Sequence, residues 1–333
     1  QYSITEGVPE LRAHLKAWLK AEKSVGGDFD ELIVTSGAQQ AVELAAKALC
    51  NEGDVVLCED PSFIGSLNSF RSYGAVLRGV PIQSDGMDLG ALERLLQTEK
   101  NVRFIYTIPN FQNPTGFTAS LEKRKALYAL AKRYGVLILE DNPYEETRFA
   151  GEGIPSVKSL DTDGLVIYAG SFSKILSPGL RVGYACAPAP VIAKMVVCKQ
   201  VSDVHTAALP QLIADRFLTG AYFAEHLQKI REIYRRKAGL MMSLADEYLL
   251  PKVAYTPVQG GLFLWCRLPE GADMQNFCRS AVEQSVAVVP GSAFLVDQSA
   301  PCGCFRLNYS TPADEQIIRG MEILGGVVKK IPE

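Results

Sequence analysis

The chain has 333 residues, of which 47% are hydrophobic and 21% are charged, a balance typical of a globular protein with a large core. The formal net charge is −3, so there is no basic excess to hold nucleic acid or an acidic membrane surface. No apolar run approaches the roughly 20 residues of a membrane-spanning helix, and no signal peptide is visible.

The cysteines and histidines give no clear metal signal. Eight cysteines are scattered along the chain without a C-x-x-C pair, and Cys302-Gly-Cys304 alone is a weak pattern. None of the three histidines is paired at ligand spacing. We therefore expect a reduced, cytoplasmic protein without a metal site. Because a helical pattern begins soon after Gln1, we also expect the native chain to carry a further N-terminal segment.

The first part of the chain alternates helical and strand patterns. Helices are predicted over residues 9–23, from 36 to about 49, after 63, and over 122–134. Short apolar runs predict strands at residues 32–35, 55–58, 103–108, 135–139, 165–169 and 182–187. Strands that are apolar throughout and alternate with helices indicate a mostly parallel sheet covered on both faces. No G-x-G-x-x-G follows these strands, which argues against a dinucleotide fold.

The last part of the chain follows a different pattern. Residues 190–248 predict a long helical stretch with breaks near Pro210 and Gly220. Beyond it, strands are predicted at residues 260–267, 286–289 and 304–309, and helices at 273–284 and from 312 to about 325. We therefore predict a large α/β domain, residues 1–234, and a smaller α+β domain, residues 235–333.

One lysine-bearing segment follows the strand at 165–169. It reads Ser171-Phe-Ser-Lys-Ile-Leu-Ser-Pro-Gly-Leu-Arg181. A lysine such as Lys174 at a strand end can form a Schiff base with a carbonyl when its surroundings lower its pKa. Arg181 can grip a phosphate with its planar fork of donors. Alone, this segment is more typical of a solvated loop, so the interpretation depends on the residues upstream.

Those upstream residues also follow predicted strands, where ligands bind in parallel sheets. They are Ser36 to Gln39, Phe63, Asn113 and Asp141. Taken together, the motifs resemble the aspartate-aminotransferase superfamily of pyridoxal-phosphate enzymes, fold type I. They are most similar to the branch that holds 2-aminoadipate and kynurenine aminotransferases. The resemblance extends from Tyr-Ser-x-Thr-Glu-Gly at 2–7 to Phe-Arg-Leu-Asn-Tyr at 305–309, and the order and spacing of the motifs make it specific.

The resemblance implies an α/β fold and a defined set of catalytic residues. Lys174 is implied to bind pyridoxal 5′-phosphate covalently and then to move the reacting proton as a free amine. Asp141 is implied to keep the pyridine nitrogen protonated. Asn113 and Tyr144 correspond to the groups that hydrogen-bond the phenolic oxygen of the cofactor. A structural loop carboxylate and a simple turn residue are the alternatives for Asp141 and Asn113.

The cofactor phosphate is implied to lie at the N-terminus of the helix that begins near Gly37. The backbone N–H groups of Ala38 and Gln39 and the helix dipole favour an anion there. A plain N-cap formed by Ser36 and Gly37 is the alternative. The remaining phosphate donors are implied to be Ser171, Ser173 and Arg181.

Three further residues complete the implied site. Phe63 corresponds to an aromatic residue that stacks on the pyridine ring, and a core phenylalanine is its alternative. Tyr2 resembles a residue that reaches the phosphate of the neighbouring subunit, which implies a homodimer with shared sites. Arg306 resembles the arginine that binds the substrate α-carboxylate through a bidentate pair. Its alternative is a structural ion pair, since a buried unpaired guanidinium would be costly.

The resemblance implies a homodimeric aminotransferase with amino-acid and 2-oxo-acid substrates. An aromatic, 2-aminoadipate-like or broad range of amino donors is expected, with 2-oxoglutarate as an acceptor and a ping-pong mechanism. Two alternatives stay open. One is a β-lyase or decarboxylase on the same fold. The other is the effector-binding domain of a pyridoxal-phosphate-binding transcription regulator, which would need a basic DNA-binding module ahead of Gln1.

Overall fold

Two β-sheets organise the part of the chain that the computed structural model describes, residues 2–331. The larger sheet has the strand order β1-β8-β7-β6-β5-β2-β3-β4. Its strands are β1 (Asp30–Thr35), β2 (Val55–Asp60), β3 (Val76–Gln83), β4 (Gly86–Met87), β5 (Val102–Thr107), β6 (Leu137–Asp141), β7 (Val166–Ser171) and β8 (Gly183–Pro188). The pairs from β7 through β6, β5 and β2 to β3 are parallel. The expected mostly parallel sheet is confirmed.

Antiparallel pairs flank this parallel core. Strand β8 lies antiparallel between β1 and β7, and β4 pairs antiparallel with β3 at the opposite edge. The central strands are buried on both faces, which explains why they read as continuous apolar runs rather than as alternating ones.

The helices of the described residues pack against the larger or the smaller sheet. They are α1 (Pro9–Lys23), α2 (Ala38–Leu49), α3 (Ile64–Ser72), α4 (Leu89–Thr98), α5 (Leu121–Tyr134), α6 (Ala189–Ser202), α7 (Ala208–Leu218), α8 (Phe223–Tyr248), α9 (Met274–Val282) and α10 (Asp314–Lys329). Local sequence sets several boundaries. The Ser120 side chain accepts from the N–H of Lys123 and caps α5, and Gly135 ends it with a φ of 65°. No helix of residues 2–331 combines the length and hydropathy needed to cross a bilayer.

Some elements differ from the sequence prediction. Strands β3 and β4 and helix α4 were not predicted, and the strand expected at 286–289 is reduced to β11 (Val289–Pro290). Pro210 lies in the first turn of α7, where its missing N–H removes no helical hydrogen bond. The predicted break in the helical stretch comes earlier, at residues 203–207, between α6 and α7.

Helix α10 does not end near Gly325-Gly326 but continues to Lys329. A Cβ on Gly325 would lie 2.9 Å from the Cβ of Tyr248 on α8. This glycine therefore permits the close approach of two helices and does not terminate one.

The smaller sheet has the order β11-β12-β10-β9 and is antiparallel throughout. Its other strands are β9 (Ala254–Tyr255), β10 (Phe263–Arg267) and β12 (Cys304–Asn308). It packs with α8, α9 and α10 around its own apolar core. Residue 234 lies inside the unbroken helix α8, so the predicted domain division falls within a helix and stays a prediction.

Candidate active site

A cavity lies at the carboxyl edge of the parallel strands of the larger sheet. Most of the predicted site residues line it because the ends of parallel strands meet at one edge. The lining residues are Ala38, Gln39, Phe63, Ile108, Asp141, Pro143, Tyr144, Ser171, Ser173, Lys174 and Arg181. Strands β1, β2, β5, β6 and β7 each lead into one of the segments that supply them.

Asp141 is the last residue of β6 and is buried. Its Oδ2 atom accepts a hydrogen bond of 2.8 Å from the hydroxyl of Tyr106. Its Oδ1 atom is buried and has no hydrogen-bond partner within residues 2–331. Burial raises the pKa of Asp141 to about 6, against the hydrogen bond from Tyr106 and the charge of Lys174. One oxygen of this carboxylate is therefore fixed, and the other lacks a donor.

Lys174 lies half-buried just beyond the end of β7. Its pKa is lowered mainly by burial and then by the positive charges of Arg181 and Arg306, while Asp141 acts in the opposite direction. Its Nζ atom is 6.0 Å from the centre of the Tyr144 ring. A depressed pKa is the condition that a lysine must meet to act as a nucleophile or general base.

Arg306 extends from β12 of the smaller sheet toward the loop that follows β5. Its Nη1 atom donates to Asn113 Oδ1 at 2.6 Å, and its guanidinium lies between the rings of Phe263 (4.1 Å) and Phe294 (4.8 Å). Burial raises the pKa of the nearby Tyr144 hydroxyl, and the Asn113 side chain acts in the opposite direction.

The guanidinium of Arg306 still has unused hydrogen-bonding capacity. Its Nε atom is buried without a partner, and no carboxylate of residues 2–331 forms an ion pair with it. Burial accordingly lowers its pKa. The alternative interpretation, a structural ion pair, is not what the described residues show.

The opposite end of the cavity is built from backbone groups, two serines and the exposed side chain of Arg181. Gly37 has a φ of 82°, and a Cβ on it would lie 2.3 Å from Nη2 of Arg181. Arg181 is exposed, and its Nη2 atom donates to the carbonyl of Ser36 at 3.2 Å. Only glycine allows this approach at that φ. Ser36 does not cap α2, because its hydroxyl donates to Asp203 Oδ2 at 3.0 Å.

The first N–H groups of α2, those of Ala38 and Gln39, have no acceptor within the helix. The Gln39 side chain is occupied elsewhere, since it donates to the carbonyl of Gly65 at 3.0 Å. Across the cavity, Ser171 Oγ accepts from the N–H of Ser173 at 3.0 Å. Backbone donors and two hydroxyls therefore converge near Arg181.

The chain was then compared with known proteins. The sequence model of the aminotransferases of class I and II matches residues 1–324. The chain belongs to this family. A 2-aminoadipate transaminase of Thermus thermophilus is 39% identical over 99% of this chain and 81% of its own length. An aromatic-amino-acid aminotransferase of Thermococcus litoralis is 36% identical over 99% and 80%, respectively.

A solved structure agrees with these relatives. A kynurenine aminotransferase of Pyrococcus horikoshii, determined with kynurenine, superimposes on this aminotransferase with a TM-score of 0.95 at 34% identity. The superposition covers 99% of this chain and 82% of that one. The predicted family, fold class and enzyme class are confirmed.

Pyridoxal 5′-phosphate is the cofactor of this aminotransferase. The residues of the cavity fit its two ends. The Oδ1 atom of Asp141, which has no partner, can accept a hydrogen bond from a protonated ring nitrogen. The positive charge of that nitrogen would in turn favour the ionised form of the buried carboxylate. The cradle at Gly37 and Arg181 offers N–H groups and a guanidinium to a phosphate.

Tyr2 stands apart from this agreement, whereas Phe63 belongs both to the cavity and to the core. Tyr2 is 87% exposed, packs edge-on against His205 at 5.9 Å and does not line the cavity of its own chain. Phe63 lines the cavity and is half-buried at the start of α3, so it also contacts the core beneath.

The sequence interpretation missed the residues behind the cavity. Tyr106 lies inside an apolar strand, and Ser66 lies in the first turn of α3. Both look like ordinary interior residues. A polar hydroxyl in the strand next to the one that carries Asp141 was the available signal, but strand order is not written in the sequence.

Proposed function

We propose that this aminotransferase moves an amino group from an aromatic or 2-aminoadipate-like amino acid to a 2-oxo acid such as 2-oxoglutarate, in a ping-pong cycle. The carrying observation is that an amine of lowered pKa and a carboxylate with one partnerless oxygen line one cavity. An arginine without an acidic partner, Arg306, acts on the charge of that amine from beside the cavity. The named substrates of the relatives support this choice of amino donor.

The first proposed role is that of Lys174. When bound, pyridoxal phosphate takes up the electron pair released at the α-carbon of the amino acid. Lys174 holds the cofactor and, once free, removes the α-proton with its Nζ atom. Its lowered pKa increases the fraction of neutral amine that can accept this proton near neutral pH.

The polar residues beside Lys174 orient and charge the ring. Asp141 presents Oδ1 to the ring nitrogen and keeps it protonated, because a buried carboxylate without a donor gains most from a cationic neighbour. Tyr144 and Asn113 bind the phenolic oxygen, and the hydrogen bond from Arg306 to Asn113 Oδ1 orients the amide. Phe63 packs on the ring face.

The ends of the substrate complex are bound by separate groups. Arg306 binds the α-carboxylate with Asn113 beside it, and the two flanking rings keep the guanidinium in position. The phosphate takes its hydrogen bonds from the backbone of the α2 N-terminus and from three side chains. The proposed phosphate-binding residues are Gly37, Ala38, Gln39, Ser171, Ser173 and Arg181.

We also propose a homodimer in which Tyr2 reaches the phosphate of the partner subunit. An exposed apolar surface on α6, α7 and the turn between them supports this, because such patches mark protein interfaces. Its residues are Val197, Val201, Val204, Leu209, Leu212 and Ile213. Light scattering after size exclusion tests the dimer: a monomer at all concentrations would contradict it. We also propose the division into a large domain, residues 1–234, and a small domain, residues 235–333.

A spectrum and a coupled assay test the function. The purified protein with pyridoxal phosphate is mixed with a panel of aromatic, acidic and aliphatic amino acids, and the visible band and the released 2-oxo acid are followed. We expect stoichiometric 2-oxo acid in the absence of an acceptor and turnover when 2-oxoglutarate is added. Parallel double-reciprocal lines would support the ping-pong order, and intersecting lines would contradict it.

The same assay separates the alternatives. Pyruvate and ammonia from cysteine conjugates, or carbon dioxide from the amino acid, would indicate a β-lyase or a decarboxylase. A spectral change on addition of an amino acid, without any product, would indicate an effector-binding domain.

Arg306→Lys tests the proposed binding of the α-carboxylate. We expect the KM for the amino acid to rise by a factor of about ten or more, since lysine cannot form the bidentate pair.

A further inference from the structure

Two residues that do not line the cavity, Tyr106 and Ser66, form a chain of hydrogen bonds that ends at Asp141. The hydroxyl oxygen of Tyr106 lies 2.8 Å from Asp141 Oδ2 and 2.7 Å from Ser66 Oγ. All three side chains are buried, so no solvent competes for these bonds. They come from different elements, since Tyr106 is on β5, Asp141 ends β6 and Ser66 is in α3.

The proton count gives this chain of groups a direction. A phenol has one proton, and an ionised carboxylate can only accept. Tyr106 therefore donates to Asp141, and Ser66 donates its own proton to the Tyr106 oxygen. Burial and the nearby charge of Asp141 raise the pKa of Tyr106 well above its usual value, so it stays a donor at neutral pH.

Packing fixes the position of the Tyr106 hydroxyl. Its ring lies edge-to-face against Phe70, with ring centres 5.2 Å apart, inside the core beneath the sheet. A carboxylate bonded to a fixed donor through Oδ2 has little freedom to rotate. The position of Oδ1, the oxygen without a partner, is thereby set as well.

We propose that Ser66 and Tyr106 form a positioning relay: Tyr106 fixes one oxygen of Asp141 so that the other meets the ring nitrogen of the cofactor, and Ser66 orients and polarises the Tyr106 hydroxyl. The relay rests on the proposed role of Asp141 and extends it. Neither residue touches cofactor or substrate, so both act through Asp141. The other groups that influence Asp141 electrostatically are Lys174, Glu59 and Tyr144.

A double-mutant cycle on cofactor binding tests the relay. Tyr106→Phe keeps the ring and removes the hydroxyl, and Ser66→Ala removes the second donor. Each apoprotein is titrated with pyridoxal phosphate by fluorescence over a range of pH. We expect Kd to rise about tenfold or more in Tyr106→Phe, as for the loss of a hydrogen bond to a charged group, and about threefold in Ser66→Ala.

Non-additivity is the decisive result. Because Ser66 acts only through Tyr106, the double variant should bind no more weakly than Tyr106→Phe alone. Tyr106→Phe loses a donor to the carboxylate, which raises the pKa of Asp141, and Ser66→Ala raises it less because the remaining Tyr106 hydroxyl is a weaker donor. As the pH falls, cofactor binding should therefore begin to weaken at a higher pH in both single variants than in the wild type, with the larger shift in Tyr106→Phe. Tyr309→Phe is the matched control, since its buried hydroxyl donates to the carbonyl of Gly260 at 2.9 Å, away from Asp141.

Three outcomes would overturn the relay. Additive losses in the double variant, or a Tyr106→Phe protein with wild-type Kd and pH dependence, would overturn it while leaving the proposed function intact. A wild-type protein that binds no pyridoxal phosphate would overturn both. Ser66→Ala leaves the aromatic packing untouched, so its pH shift alone decides the question if Tyr106→Phe folds poorly.

Discussion

The two ends of the cavity differ in burial and in the type of group that would bind the cofactor. At the ring end, Asp141 is buried, carries a pKa raised to about 6 and relies on one donor for one of its oxygens. At the phosphate end, Arg181 is exposed, and the binding surface is largely backbone at the start of α2. A buried carboxylate that alone pairs with the ring nitrogen cannot be replaced by water or by a neighbouring group. At a solvent-exposed site several donors bind the same phosphate, so the loss of one donor weakens binding less. Substitutions should therefore be severe at the first end and mild at the second.

The largest effect is expected at the lysine between the two ends. Lys174→Ala should abolish the visible band of the covalently bound cofactor and all transamination, because no other amine lines the cavity in residues 2–331. Borohydride reduction followed by peptide mapping measures the attachment. Lys125→Ala, an exposed lysine on α5, is the control and should keep the band. A trapped adduct in Lys174→Ala would remove this lysine from the mechanism.

The next effect is expected at the ring end. Asp141→Asn keeps the size of the side chain but removes its charge, so kcat for transamination should fall by about 100-fold or more. Single-turnover kinetics with a saturating amino acid measure the loss. Asp85→Asn, an exposed carboxylate, should leave the rate unchanged. A near-normal rate in Asp141→Asn would contradict the ring-nitrogen assignment.

The same substitution should stabilise the apoprotein. The folded pKa of Asp141, about 6, lies above its usual value of 3.8, so the folded state binds more protons than the unfolded state between these values. Stability is then lost as the pH rises through that window, and Asp141→Asn removes the loss. We expect a gain in unfolding free energy of about 2–3 kcal/mol at pH 7, and little below about pH 4.

Urea unfolding of the two apoproteins at several pH values measures this gain. A difference between wild type and variant that stays constant from acid to neutral pH would argue against a buried ionised Asp141. Pyridoxal phosphate should reverse the order of stability, since a ligand that binds the folded state of the wild type more tightly stabilises it more.

The smallest effect is expected at the phosphate end. Arg181→Gln should weaken pyridoxal phosphate binding by no more than about tenfold, because the arginine is exposed and the helix N-terminus remains. Raising the salt concentration should weaken wild-type binding more than variant binding. By contrast, Gly37→Ala should cost more than Arg181→Gln, since a Cβ at a φ of 82° strains the backbone that presents the N–H donors and also displaces the guanidinium. Equal losses in the two variants would break the proposed difference between backbone and side-chain donors.

Sequence alone went far toward this site because its motifs follow strands. Asp141 ends an apolar strand, and Lys174 and Asn113 lie in the segments that follow such strands, whose ends a parallel sheet brings together. Of the elements that it missed, β3 is interrupted by Gly79 and Pro81, whereas α4 does carry a helical signal in its Asp88 cap and in Leu92 and Leu96. The end of α10 was wrong because Gly325 serves helix packing and not termination.

What the sequence determined by itself was the family, and through the resemblance to its motifs it predicted which amine, which carboxylate and which arginine belong to one reaction. What only the tertiary structure decided was the support behind them. Tyr106 reaches Asp141 because β5 pairs with β6, and Ser66, which lies 40 residues before Tyr106, reaches the Tyr106 hydroxyl from α3. A local pattern records which group ends a strand, but a hydrogen bond between strands depends on their order, which long-range packing fixes.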